Sequence, residues 1–147
     1  MSLAALNTAA AANEGRVLTV QHPTERTPLV GQNGKPVTIT LLGQDSDIFI
    51  KAENAARARA MEHLSEGGKF SPAASDLQAC EALARCTLDW SNIPKGWIDG
   101  TDDETPVKHS HETAVALYQN PGVKWLRDQT DKFIATRSNF LKASPKT

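Results

Sequence analysis

Aromatic residues are scarce in this chain of 147 residues, which contains three Trp, one Tyr and four Phe. Six of these eight lie after position 89, namely Trp90, Trp97, Tyr118, Trp125, Phe133 and Phe140. This distribution excludes an aromatic core spread evenly along the chain. A chain of this length can nevertheless bury about two thirds of the surface that its unfolded form exposes. We therefore expect one domain, residues 1–147, whose core is anchored in the C-terminal half.

Cysteines and long apolar runs are also few. The two cysteines, Cys80 and Cys86, are six positions apart, which puts them about 120° apart around a helix. We therefore expect free thiols in a reducing compartment rather than a disulfide. No window has the apolar length of a membrane span, and residues 2–13 lack the basic start and apolar run of a secretory signal. These absences favour a cytosolic protein without membrane contact.

The chain has no large excess of either sign of charge, since its formal net charge is −1. This near balance excludes a general attraction for nucleic acid, and the basic residues of the last predicted helix are spread around its circumference, so we expect no nucleic acid partner. Locally, residues 121–147 hold six Lys or Arg against two Asp, and residues 97–112 hold five acids against one Lys. Such lobes can steer a partner or a second copy of the chain. Two alternatives therefore remain, namely self-association and a solvated surface of mixed charge that binds nothing.

Signatures of catalysis and of cofactor binding are missing as well. The Gly-Gln-Asn-Gly-Lys of residues 31–35 precedes a predicted strand rather than the helix that a phosphate-binding loop requires. His109 and His111 lack the spacing of zinc ligands, and no Gly-x-Ser-x-Gly turn is present. We therefore expect no enzyme activity, no metal and no cofactor. A catalytic triad assembled only by folding is the remaining alternative, and it would require a concave site with convergent polar groups.

The segment that follows the Ala-rich start has the patterns of strands. Residues 16–21 are β-branched and extended, and residues 37–42 alternate apolar and hydroxyl side chains, the period of a half-buried strand. Asn33-Gly34 between them is a strong tight-turn signal. We predict a small antiparallel β-hairpin or three-stranded meander over residues 16–43, preceded by a flexible segment, residues 1–15.

Residues 44–142 have the periodicity of about four helices. The first is predicted over residues 47–65, and its inward side would carry Phe49, Ala52, Ala56, Ala60 and Leu64. The second begins at Ser71-Pro72, a helix cap followed by proline at the first helical position, and continues to about Asp89, with Cys86 and Trp90 one turn apart.

The remaining helices follow a polar loop. Ser110 would cap a short helix ending near Tyr118 or Gln119, and Asn120-Pro121 would begin the last one. Residues 143–147 are predicted to be a flexible tail. The fold class expected from these patterns is α+β, mainly α.

Several local patterns follow one another along the chain. They begin with Gly-Gln-Asp-Ser-Asp at residues 43–47, are most distinctive over residues 84–93, Ala-Arg-Cys-Thr-Leu-Asp-Trp-Ser-Asn-Ile, and continue through Glu112, Ala114, Leu117, Tyr118, Trp125, Phe133, Ile134 and residues 137–141. In this order they resemble the patterns of the tail assembly chaperones of long-tailed bacteriophages. The chain departs from the pattern in the loop of residues 93–107, which carries Trp97 and an acidic run.

The resemblance implies a function in binding rather than in catalysis. Such chaperones coat the long tape measure protein in the host cytoplasm, keep it soluble, help to recruit tail tube protein subunits, and leave as the tube forms. In this chain Trp97, Ile98 and Trp125 are candidates for partner contact, because a Trp in or beside a loop can be exposed. The alternative is that they form a satellite core beneath the loop.

A second interpretation is a structural virion component, such as a tail-terminating or head–tail joining minor protein. The two interpretations differ in the mature particle, from which a chaperone would be absent. Stoichiometric recovery of the chain in mass spectra of intact phage would therefore favour the virion component.

Overall fold

The computed structural model describes residues 2–67 and 72–141, and it has an α+β, mainly α fold, as the sequence predicts. Three strands are formed by Arg16–Thr19 (β1), Thr38–Leu41 (β2) and Thr87–Ser91 (β3). The helices are Leu3–Leu6 (α1), Thr8–Glu14 (α2), Asp47–Ser65 (α3), Pro72–Cys86 (α4), Gly96–Asp99 (α5), His111–Gln119 (α6) and Lys124–Ala135 (α7). Single 3₁₀ turns follow at Pro121–Val123 and Arg137–Asn139. The predicted cap Ser71 and the predicted tail, residues 143–147, lie outside the described residues.

The sheet is antiparallel with the order β1-β2-β3, so it is not confined to an N-terminal hairpin. The prediction of a helix continuing to Asp89 is wrong, because α4 ends at Cys86 and β3 begins at the next residue. A bulge beside Leu88 explains the error: Thr40 pairs with Asp89, but Leu41 pairs with Thr87. The extra residue turns both Thr87 and Trp90 inward, and their spacing of three then imitates a helical period.

The core lies between one face of this sheet and the helices. Buried and half-buried residues alternate along β2, where Ile39 and Leu41 are fully buried. From the C-terminal half, α6 and α7 contribute Leu117 and Leu126, which are also fully buried. The core draws on both halves of the chain: the central strand comes from the N-terminal half, and most of the buried residues come from the C-terminal half, as predicted.

The start of the chain, for which a flexible segment is predicted, contains two short helices, of which α2 packs against the body of the protein. Ala12 is buried, and its carbonyl accepts a hydrogen bond from the Gly43 backbone N–H at 3.1 Å. Asn13 Oδ1 accepts from the Asp47 backbone N–H at 3.0 Å. Gly43 permits this packing, since a Cβ there would lie 2.9 Å from that of Ala12 and 3.0 Å from the ring of Phe140.

Helix α3 is far more exposed than its sequence predicts. Of the five residues expected on its inward side only Ala52 is buried, and Leu64 is 63% exposed. Phe49, Ala56 and Ala60 are half-buried. Helix α3 packs mainly on α4, and its nineteen residues present most of their surface to solvent.

Helix α6 begins as its predicted cap indicates, whereas the predicted cap of the last helix begins a 3₁₀ turn instead. The side chain of Ser110 accepts from the Thr113 backbone N–H at 3.1 Å, which forms a capping box at the start of α6. Asn120 Oδ1 accepts from the Gly122 backbone N–H at 3.0 Å. This second cap begins a 3₁₀ turn, and α7 follows only from Lys124.

An ion pair joins the segment before α3 to the turn after α7 and makes stability depend on pH. Arg137 donates two hydrogen bonds to Asp45, at 2.7 and 3.0 Å, and these hold the pKa of the Asp45 carboxyl below its usual 3.8. Because this pKa is lower in the folded state, the ion pair stabilises the fold at pH values above the unfolded-state pKa. That stabilisation is lost as the pH falls through the folded-state pKa.

We expect Asp45→Asn to lower the free energy of unfolding by up to about 1 kcal/mol at pH 7. In urea titrations the difference from wild type should vanish in strong acid; a difference independent of pH would contradict this assignment.

Candidate functional site

Two of the three residues predicted to bind a partner are in contact with each other. Trp97 lies on α5 and Trp125 on α7, and their ring centroids are 5.5 Å apart at an interplanar angle of 80°, an edge-to-face arrangement. Both rings and the side chain of Ile98 are half-buried and pack against the core. The site thus has the packing of a satellite core with part of each side chain at the surface, and its role in partner contact stays a prediction.

Trp97 is positioned by a loop that closes on itself. The Val107 N–H donates to the Ile93 carbonyl at 2.9 Å, and the Lys95 N–H donates to the Thr105 carbonyl at 2.8 Å. From the body of the protein, the side-chain amide of Asn120 donates to the Trp97 carbonyl at 2.8 Å. These bonds hold the loop of residues 93–107 as a defined structure rather than a loose connection.

Two acids of this loop, Asp99 and Asp103, accept hydrogen bonds in local turns. Asp99 Oδ1 accepts from the Thr101 hydroxyl at 2.6 Å and from its backbone N–H at 3.0 Å, and these bonds lower the pKa of the Asp99 carboxyl. Hydrogen bonds from Thr105 lower the pKa of Asp103 in the same way. These two carboxylates of the predicted acidic lobe are therefore held in place by local hydrogen bonds that favour their ionised form.

The predicted basic lobe is partly neutralised. Arg127 donates to Asp76 at 2.7 Å, and Arg137 is paired with Asp45. Lys124 and Lys132 of α7 are exposed and belong to none of the ion pairs among the described residues. Among the described residues of this lobe, the positive charge that is left therefore lies on those two lysines.

A groove of about 540 Å³ runs between β1, the turn that follows it, and α7. We call it the β1–α7 groove. Its strand side is formed by Leu18, Thr19, Gln21, His22, Pro23 and Arg26, and its helix side includes Trp125, Asp128, Gln129, Lys132 and Phe133. This volume is in the range of ordinary ligand sites. The groove has an apolar floor and a polar rim, and it includes one of the predicted contact residues.

Long-range hydrogen bonds join β1 and the residues after it to α7 and the turn that follows it. The side-chain amide of Gln129 donates to the Gln21 carbonyl at 2.7 Å, and its oxygen accepts from the Gln21 N–H at 3.1 Å. Outside the groove, the Arg16 guanidinium at the start of β1 donates to the Phe140 carbonyl, which follows α7, at 3.1 Å. The strand and the helix are thereby held at a fixed separation.

A second surface feature is an exposed stripe on α3, which we call the α3 seam: Ile50, Asn54, Arg57, Met61 and Leu64. The intervals of four, three, four and three residues are those of a coiled-coil heptad. Its ends are apolar, and Ile50, Met61 and Leu64 are 45%, 67% and 63% exposed. Its centre is polar. Among the described residues, no element covers this stripe, whose spacing is that of a helix packed against another helix.

The buried reactive side chains have the environment of structural groups. Burial raises the pKa of the Cys86 thiol and of the Tyr118 hydroxyl to about 12 each. The Tyr118 hydroxyl is 2.7 Å from that of Thr87. Among residues 2–67 and 72–141, no group of three or more His, Cys, Asp or Glu could hold a metal ion. Within the same residues, no helix is long and apolar enough to cross a membrane.

The sequence alone indicates some of these features and not others. The α3 seam is obscured in the sequence, because its two central residues are polar and the alanines at positions 52, 56 and 60 offer a second stripe. No short stretch of sequence predicts the β1–α7 groove, since Gln21 and Gln129 are 108 positions apart.

Comparison with protein-family models, with curated proteins and with solved structures finds no match to this chain.

Proposed function

We propose that the protein is a phage tail assembly chaperone, which binds the tape measure protein, keeps it soluble, and helps to recruit tail tube subunits. The motifs that resemble this family give the proposal its identity. The observation that carries it physically is the α3 seam, an exposed stripe of heptad spacing on a helix that packs mainly along one side. A long helical client is the kind of partner that fits such a surface.

The dimensions of the seam suit a weak and repeated contact. From Ile50 to Leu64 it covers fifteen residues, or two heptads, about 22 Å of helix. Apolar side chains at its ends can pack into holes on a partner helix, whereas Asn54 and Arg57 keep polar groups at the centre of the contact, which lowers its stability. A chaperone must leave its client when the tube forms, and a short seam with a polar centre favours release.

Trp97, Ile98 and Trp125 are proposed as a second contact area. Their half-buried side chains offer apolar edges without further unfolding of the loop. Interfaces of modest size commonly combine such an apolar centre with a polar rim. The ordered acids Asp99 and Asp103 beside Trp97 supply that rim.

Two isoleucines of α3 allow a matched test of the seam. Ile50 lies on it, and Ile48, which is 41% exposed, lies about 200° away around the helix. We expect Ile50→Lys to weaken binding to the tape measure protein about fivefold to tenfold, because a buried contact of an aliphatic side chain contributes roughly 1 kcal/mol or more. Ile48→Lys should bind within about twofold of wild type. Affinity is measured by biolayer interferometry on purified client fragments.

The outcome distinguishes several cases. Equal affinities for wild type and both variants would remove the seam from the proposal, and no measurable binding of the wild-type chain would remove the chaperone function itself. Circular dichroism and thermal unfolding of each variant provide the control for folding, since both substituted positions are partly exposed and should leave α3 intact.

A further inference from the structure

The free edge of β1 carries backbone groups that no strand within the described residues pairs. The Val20 N–H donates to the Val37 carbonyl at 2.9 Å, and the Val20 carbonyl accepts from the Leu29 N–H at 2.9 Å, so the even-numbered residues of this segment direct their N–H and C=O groups toward β2 and residues 27–29. Because successive residues alternate, those of Val17, Thr19 and Gln21 point the other way. The Thr19 groups open into the β1–α7 groove.

Gln129 shows how this edge is satisfied where the fold closes over it. Its carboxamide takes both the outward N–H and the outward C=O of Gln21, as the backbone of a neighbouring strand would. One strand position is thus occupied by a side chain. The next outward position, at Thr19, lies in the open groove, where a peptide backbone about 4.8 Å from β1 would make the equivalent bonds.

The rim of the groove is positive. Arg26 and Lys132 are exposed and belong to none of the ion pairs among the described residues, against the single carboxylate of Asp128. His22 adds a donor, because its Nδ1 accepts from the backbone N–H groups of Thr24 and Glu25 and the neutral ring then carries its proton on Nε2. Charge complementarity therefore favours an acidic occupant over a basic or neutral one.

Arg26 is held at this rim in a strained conformation. Its φ is +58°, and the only other residue besides glycine with a positive φ in the described chain is Asn92. Asparagine tolerates the left-handed region, whereas arginine is disfavoured there. A glycine would relieve the strain, so the presence of arginine is best explained by its charge, and strain of this kind is concentrated at functional sites.

We propose that the β1–α7 groove binds an extended peptide segment with an acidic side chain, which adds to the sheet as a strand outside β1. The strand edge supplies main-chain hydrogen bonds, the floor of Leu18 and Phe133 takes an apolar side chain, and Arg26 and Lys132 take the carboxylate. The site is separate from the α3 seam and goes beyond the binding of a helical client.

The first test uses a random heptapeptide phage-display library selected on the immobilised full chain. Enriched peptides should combine β-branched residues with at least one Asp or Glu. Binding of a synthetic enriched peptide should slow amide hydrogen exchange at Thr19 about tenfold or more, because that N–H becomes bonded. Failure to enrich any peptide, enrichment of basic sequences, or unchanged exchange at Thr19 would each overturn the proposal.

Variants then separate the groove from the rest of the surface. Lys132→Glu should lower the affinity for the enriched peptide at least about fivefold. Lys124→Glu, on the same helix but outside the groove, should change this affinity less than about twofold. Arg26→Gly should raise the midpoint temperature of unfolding and yet lower the affinity for the peptide at least about threefold. Equal effects of the two lysine variants, or full binding by Arg26→Gly, would contradict the assignment. None of these substitutions touches the α3 seam, so client binding there should be unchanged.

Discussion

Replacing Trp90 by alanine is expected to lower the free energy of unfolding by about 3–5 kcal/mol, the usual cost of removing a large buried ring. Trp90 is only 6% exposed and lies opposite Ile39 in the sheet. Its indole N–H donates to the Val107 carbonyl at 2.7 Å, and its ring meets that of His109 edge to face at 5.0 Å. The Trp90 side chain therefore joins the sheet to the C-terminal end of the loop of residues 93–107.

Urea unfolding followed by circular dichroism measures this loss, and Trp90→Phe provides the control. Phenylalanine keeps much of the ring and leaves the Val107 carbonyl without its donor, so we expect a loss of about 1–2 kcal/mol. A loss below about 1 kcal/mol for Trp90→Ala would show that the ring does not hold these elements together.

Gly96→Ala is expected to destabilise the loop of residues 93–107 by about 3 kcal/mol, at the upper end of the usual cost of overpacking. A Cβ at Gly96 would lie 2.2 Å from the Thr101 carbonyl oxygen and 3.1 Å from that of Asp103. Both obstacles are backbone, so the loop must open to admit the methyl group. Hydrogen exchange of the Lys95 and Gly96 amides, which are bonded across the loop, should then accelerate at least about tenfold.

Gly100 offers a matched substitution in the same loop. It has a φ of +77°, and a Cβ there would meet no atom within 4 Å. Gly100→Ala should therefore cost only about 1 kcal/mol, from the left-handed backbone alone. Equal losses for the two variants would mean that the close approach at Gly96 does not determine the conformation of the loop.

The fold class and the helix caps follow from local chemistry, and the placement of β3 does not. Ser110 caps α6 through bonds within four residues of itself, which composition and spacing reveal. In β3 the bulge beside Leu88 changes the period from two to three, and only pairing with β2 produces it. The local pattern is therefore indistinguishable from the last turn of a helix.

The candidate site also has residues that the sequence indicates and contacts that only the folded chain creates. The sequence points to Trp97 and Trp125 as residues beside a loop, and the fold brings their rings together although they are 28 positions apart. The β1–α7 groove depends on Gln21 and Gln129, whose contact is created only by tertiary packing. The exposure of the α3 seam likewise depends on which helices the fold leaves uncovered.

The most direct measurement of the proposed function is the solubility of the tape measure protein when it is expressed with and without this chain. The proposal predicts that the client is insoluble alone and is recovered in the soluble fraction, in a complex containing several copies of the chain, when the two are expressed together. Ile48→Lys should preserve this effect and Ile50→Lys should reduce it. A client that stays insoluble with the wild-type chain, or is recovered without it bound, would contradict the account.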